Sequence, residues 1–151
     1  MLNILFEDQS IIVVEKPAGL ESQTSRGFGA DMVSEIRKHI HKLSPENCEL
    51  YVGVIHRLDK PVQGAMVYAK TKKAAASLSK QVQEGRMEKI YQAVVCGKLV
   101  ENVGNYVDYL LKDDKNNHTK IVEKGITGAK KSVLEYKVLK TAVIDGEELS
   151  L

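Results

Sequence analysis

Residues 53–71 read GVIHRLDKPVQGAMVYAKT. Two apolar runs, at 51–55 and 65–69, flank the charged segment His56-Arg57-Leu58-Asp59-Lys60. Each run is short and rich in apolar residues suited to a pleated sheet, which predicts two strands. Pro61 and Gly64 between them are chain-turning residues. An extended backbone over 53–58 sends Arg57 and Asp59 out of one face, and His56 and Leu58 out of the other. A guanidinium beside a carboxylate favours the ionised form. An ionised carboxylate at a strand end can attack an electrophilic sugar carbon. Spacing alone favours a plain surface ion pair, worth at most about 1 kcal/mol.

Working outward, 3–6 and 10–15 predict two more strands around the turn-like Glu7-Asp8-Gln9. The run IIVV at 11–14 is expected to be buried on both faces. Lys16-Pro17-Ala18-Gly19 ends that strand and shapes its exit. Met32, Val33, Ile36, Ile40 and Leu43 recur at helical spacing, which predicts a helix over 30–43, stopped by Ser44-Pro45. A second helix is expected from 72 to about 84, capped by Thr71 and followed by Gly85. Strands are expected at 89–96, 105–111, 118–123 and 132–139. Residues 143–151 predict a strand, the turn Asp145-Gly146 and the opening of another strand. The fold class is α+β: a mixed, largely antiparallel sheet with a few helices. The last strand opens at the final residues, so either the terminus is frayed or the chain is part of a longer protein, and the second reading is preferred.

A chain of 151 residues with 43% hydrophobic and 28% charged residues can bury a core of its own. It contains no apolar run near the roughly 20 residues that span a bilayer, and its start carries Glu7 and Asp8 rather than a basic leader. A cytoplasmic protein is the expectation. Cys48 and Cys96 lack metal or disulfide spacing. His39 and His41 are two apart on a helix and share no face, so no metal site is expected there. The net charge of +2 permits an anionic partner without demanding one. Lys38, Lys42, Lys72, Lys73 and Lys80 read as solvated helix faces, and SQTSRGFG with Arg26 as a loop of small polar residues. Only four arginines occur, so Arg57 inside the charged segment is notable: its planar fork suits phosphates and base edges.

HRLDK with Gly64 and the AKT strand end resembles the catalytic motif of the RluA-like RNA pseudouridine synthases. VVEKPAGL at 13–20 is similar to that family's Asn-Lys-Pro-x-Gly motif. KIYQAVVCG at 89–97 and GAKKSVLEYKVL at 128–139 resemble two further strands of it. Order and spacing agree over about 3–139, and four ordered motifs are far more specific than one pentapeptide. Pro61-Val62-Gln63 stands where the family has x-Thr-Ser, Glu15 where it has Asn, and the later Gly-Arg-x-His-Gln-Ile-Arg motif is not in the chain.

The resemblance implies a pseudouridine synthase catalytic-domain fold, C-terminally incomplete, spanning 1–151 without a separate N-terminal RNA-binding domain. It implies isomerisation of a flipped-out uridine in rRNA or tRNA, with no cofactor and no metal. Asp59 is then the catalytic carboxylate, acting at the ribose or the base. Arg57 fills the vacated space or holds phosphate, Lys60 touches phosphate or is merely solvated, and Tyr91 stacks on the uracil. His56 is expected to support the loop through a hydrogen bond. The alternative is a non-catalytic RNA-binding module that retains the fold. The 151-residue chain alone is expected to be weakly active or inactive.

Overall fold

The structure, a computed structural model, describes residues 2–24, 29–46, 50–113 and 118–151. Arg26 and Cys48 lie outside the described residues. Among the described residues are ten strands and two helices. Every ladder between strands is antiparallel, which confirms the α+β class. The chain divides into two compact units, Met1–Lys89 and Ile90–Leu151.

The first unit holds β1 (Asn3–Glu7), β2 (Ile11–Lys16), α1 (Met32–Leu43), β3 (Gly53–Val54), β4 (Gly64–Ala69) and α2 (Lys72–Gln83). Its sheet has the order β1-β2-β4-β3. Ile12 pairs with Tyr68 and Val14 with Met66 across β2 and β4. These four, with Met32, Val33 and Ile36 of α1, form the core. Burying each large side chain contributes roughly 1.5–3 kcal/mol. Ile11, Val13 and Glu15, which point the other way, are only half-buried. Burial of β2 on both faces is therefore corrected to burial on one. The reason is placement: Met32, Val33 and Ile36 of α1 share one core with Ile12 and Val14, whereas α2 lies against β3 and β4. Gly53 permits that approach, since a Cβ there would stand 3.2 Å from the Ala75 Cβ and 2.9 Å from the Tyr51 Oη.

Both helices begin on side-chain caps. Thr71 Oγ1 accepts the Ala74 N–H at 3.1 Å. At the far end of α2, Gly85 takes φ +67 and donates to the Val82 carbonyl, and Arg86 donates to that of Gln81. This is the Schellman pattern that glycine after a helix favours. Asp31 caps α1: one carboxylate oxygen accepts the Ser34 N–H and the other the Thr24 N–H, both at 2.7 Å. Burial alone would raise the Asp31 pKa, but these hydrogen bonds outweigh it and hold the pKa below its ordinary 3.8. Asp31→Ala is expected to cost about 1 kcal/mol near neutral pH, measured by urea unfolding. A lowered pKa means that this stabilisation is complete above the ordinary value and is lost as pH falls through the folded one. The gap between native and variant therefore closes in acid. Glu7 adds a second tie, between β1, β4 and α1: its oxygens meet the Lys70 Nζ at 2.6 Å and the His39 Nε2 at 2.8 Å.

The second unit holds β5 (Val95–Cys96), β6 (Val103–Asp113), β7 (His118–Val122), β8 (Lys130–Lys137), β9 (Thr141–Ile144) and β10 (Glu147–Ser150). They form two three-stranded sheets, β7-β6-β8 and β5-β10-β9. The strand expected at 89–96 is reduced to Val95–Cys96, because only those residues find a ladder partner, on β10. The turn at Asp145-Gly146 appears as expected. Its φ values of +53 and +83 suit the two-residue hairpin between β9 and β10. Tyr136 lies over Gly104, its cross-strand partner, and stacks on Tyr106 with ring centroids 5.3 Å apart. Among the described residues no helix is long and apolar enough to cross a membrane.

Candidate active site

The ladder between β3 and β4 stops at Val54, opposite Tyr68. Residues 55–63 then run as a loop back to β4. Arg57 and Asp59 thus stand on a loop, not on the strand expected at 53–58, so strand alternation does not set their directions. The two do not pair with each other among the described residues. The reason for the early stop is visible at His56. Its Nε2 lies 3.3 Å from the Val67 amide and accepts that N–H, replacing the next main-chain partner of β4. Burial, aided by the positive charge of Lys89, pushes the His56 pKa down. A neutral ring keeps the acceptor that this bond requires. His56 supports the loop through this hydrogen bond, as expected.

A loop outside the ladders must find partners for its buried main-chain groups. Here they are supplied from segments far away in sequence. Ser22 Oγ donates to the Leu58 carbonyl at 2.6 Å and accepts the Leu58 N–H at 3.0 Å. The Lys60 carbonyl accepts the Gly19 N–H at 2.7 Å and the Lys16 Nζ at 3.2 Å. Lys16 also donates to the carbonyls of Leu20 at 2.7 Å and Pro17 at 3.1 Å. The Asp59 carbonyl takes the Val62 N–H at 3.0 Å, closing a tight turn. Lys16 is fully buried at the end of β2. Burial pulls its pKa down, and the negative charge of Asp59 partly opposes that. An ammonium with three carbonyl acceptors and a carboxylate nearby is well satisfied.

The side chains of the loop have the opposite character. Arg57, Asp59 and Lys60 are exposed. Among the described residues no hydrogen bond reaches the Asp59 carboxylate, and Lys60 has one distant ion pair, with Glu21 at 3.8 Å. The main chain of the loop is held, while its exposed side chains make few contacts among the described residues. Tyr91 belongs to the second unit, 62% exposed, ahead of β5. Its neighbours in the motif do not form the expected strand. Sequence reasoning places Lys16 only as a shaper of the strand exit and does not single out Ser22 or Tyr68. A buried lysine before Pro17 was the available signal for the first. The others carry none, since their roles arise from contacts across 36 and 46 residues. Among the described residues no group of three or more His, Cys, Asp or Glu is placed to hold a metal.

Residues 10–150 match the model of the RNA pseudouridylate synthase family. The chain belongs to that family. Over 139 residues it is 37% identical to ribosomal large subunit pseudouridine synthase D of Neisseria meningitidis serogroup B, a match covering 91% of this chain and 36% of that one. It is 30% identical over 142 residues to tRNA pseudouridine synthase C of Yersinia pestis, covering 92% of this chain and 51% of that protein. The fold resembles the solved human RNA pseudouridylate synthase domain containing 4, with a TM-score of 0.70 at 19% identity, over 98% of this chain and 56% of that one. The chain thus spans about a third to a half of the length of these related synthases. The RluA-like resemblance of its motifs agrees with the family found.

Proposed function

We propose that residues 1–151 form one catalytic domain region of an RNA pseudouridine synthase acting on ribosomal or transfer RNA. The supporting observation is family membership over 10–150, a span that includes the whole Arg57–Asp59 loop. In this reading the target uridine leaves its stack and enters the site. The Asp59 carboxylate acts at the ribose or the base, and the C1′–N1 bond breaks. The freed uracil turns and rejoins C1′ through carbon 5. Carbon 5 loses its proton and N1 gains one, so the reaction is an isomerisation with no net reagent. Arg57 takes the space that the base vacates or holds a phosphate, as its planar fork allows. Lys60 offers a point charge to phosphate. Tyr91 supplies a flat wall for the uracil.

The test is incubation of the full-length protein with unmodified ribosomal and transfer RNA, followed by mapping of pseudouridine at single-nucleotide resolution. The expected result is new pseudouridine at one or a few positions. RNA binding without any modified uridine would instead establish the binding-module alternative.

A further inference from the structure

We infer that Ser22 is a positioning residue: its buried hydroxyl sets the aim of Arg57 and Asp59 by gripping the backbone of Leu58 between them. The inference rests on the proposal that Asp59 is the reacting carboxylate.

The geometry follows from peptide planarity. The Leu58 N–H lies in the peptide plane that joins it to Arg57, and the Leu58 carbonyl lies in the plane that joins it to Asp59. Ser22 Oγ bonds to both groups, at 3.0 Å and 2.6 Å. One hydroxyl therefore orients the two planes from which the neighbouring side chains spring. It acts as a one-atom substitute for an adjacent strand. Ser22 is 4% exposed, so water is not at hand to replace the hydroxyl if it is removed.

The grip is itself anchored from two sides. Tyr68, fully buried on β4, donates its hydroxyl to the Ser22 carbonyl at 3.1 Å. On either side of Ser22, the Glu21 carbonyl takes the Met32 N–H at 2.9 Å and the Thr24 N–H goes to Asp31 at 2.7 Å. Sheet and helix start thus hold the serine, and the serine holds the loop. Among the described residues the hydroxyl's other hydrogen-bond partner is the buried Met66 Sδ at 3.4 Å, so its influence on the exposed side chains of the loop runs through the backbone.

The experiment uses the full-length protein and single-turnover pseudouridine formation, with RNA affinity measured separately. Ser22→Ala is expected to slow the reaction about 30-fold, somewhat less than the roughly 100-fold that a misplacement of about 1 Å can cost. RNA dissociation constants should stay within about threefold, since the RNA-facing side chains are intact. Ser22→Thr keeps the hydroxyl and should recover most of the rate. Should the alanine variant fail to fold, Tyr68→Phe removes only the anchoring hydroxyl and is expected to slow the reaction about fivefold at unchanged affinity. Hydrogen exchange at the Leu58 amide should speed up in the alanine variant and not in the threonine one. A folded Ser22→Ala protein with native single-turnover rate, alongside an inactive Asp59→Asn protein, overturns the role of Ser22 alone. A slowdown explained wholly by weaker RNA binding overturns it too. An active Asp59→Asn protein overturns the Asp59 proposal and the Ser22 role with it.

Discussion

Asp59→Asn in the full-length protein is expected to lower single-turnover pseudouridine formation by at least about 1,000-fold, equivalent to roughly 4 kcal/mol of barrier. The amide keeps the size and shape of the carboxylate and removes its charge and nucleophilicity. Release of tritium from uridine labelled at carbon 5 measures the step directly, because that carbon loses its proton when it bonds to the ribose. Stability should change little, within about 1 kcal/mol, because the exposed Asp59 side chain accepts no hydrogen bond among the described residues and acts on the buried Lys16 only through its charge. An asparagine variant as fast as the native protein would remove Asp59 from the chemistry.

Lys16→Met should do the reverse, acting first on the fold. Methionine fills much of the same volume but donates nothing to the carbonyls of Pro17, Leu20 and Lys60, which Lys16 reaches at 3.1, 2.7 and 3.2 Å. Of these, the Lys60 carbonyl retains the Gly19 N–H. Removing a buried charged donor and stranding its acceptors costs about 2–4 kcal/mol, read as a lower denaturant midpoint. Activity should fall as well, since the Lys60 end of the loop loosens. A midpoint equal to that of the native protein would show that the ammonium is dispensable to the fold.

What the sequence made legible was chemistry that acts over a few residues. Thr71 and Gly85 bound α2 because a cap and a left-handed residue act within one turn. Asp145-Gly146 announces its hairpin for the same reason. The identity of the charged loop was legible through its motif. Its support was not. Ser22 and Leu58 meet only because β2, α1 and β4 pack together, and nothing in the string Gly-Leu-Glu-Ser-Gln marks that meeting. The stretch 89–96 errs in the other direction. Its composition is that of a strand, but a strand exists only where a partner offers a ladder, and β10 reaches just Val95 and Cys96. The charged segment similarly looked like a strand interior, until the His56 ring took the Val67 amide and ended the pairing.

In the proposed function the loop divides its labour: main-chain atoms answer to the fold, exposed side chains to the substrate. Such a division makes the chemistry separable in evolution. A duplicated copy could exchange its carboxylate for another group and remain folded, because Ser22, Lys16 and Gly19 hold the backbone whatever side chain it bears. The same scaffold is thus free to diverge toward new targets, or to fall silent, one exposed residue at a time.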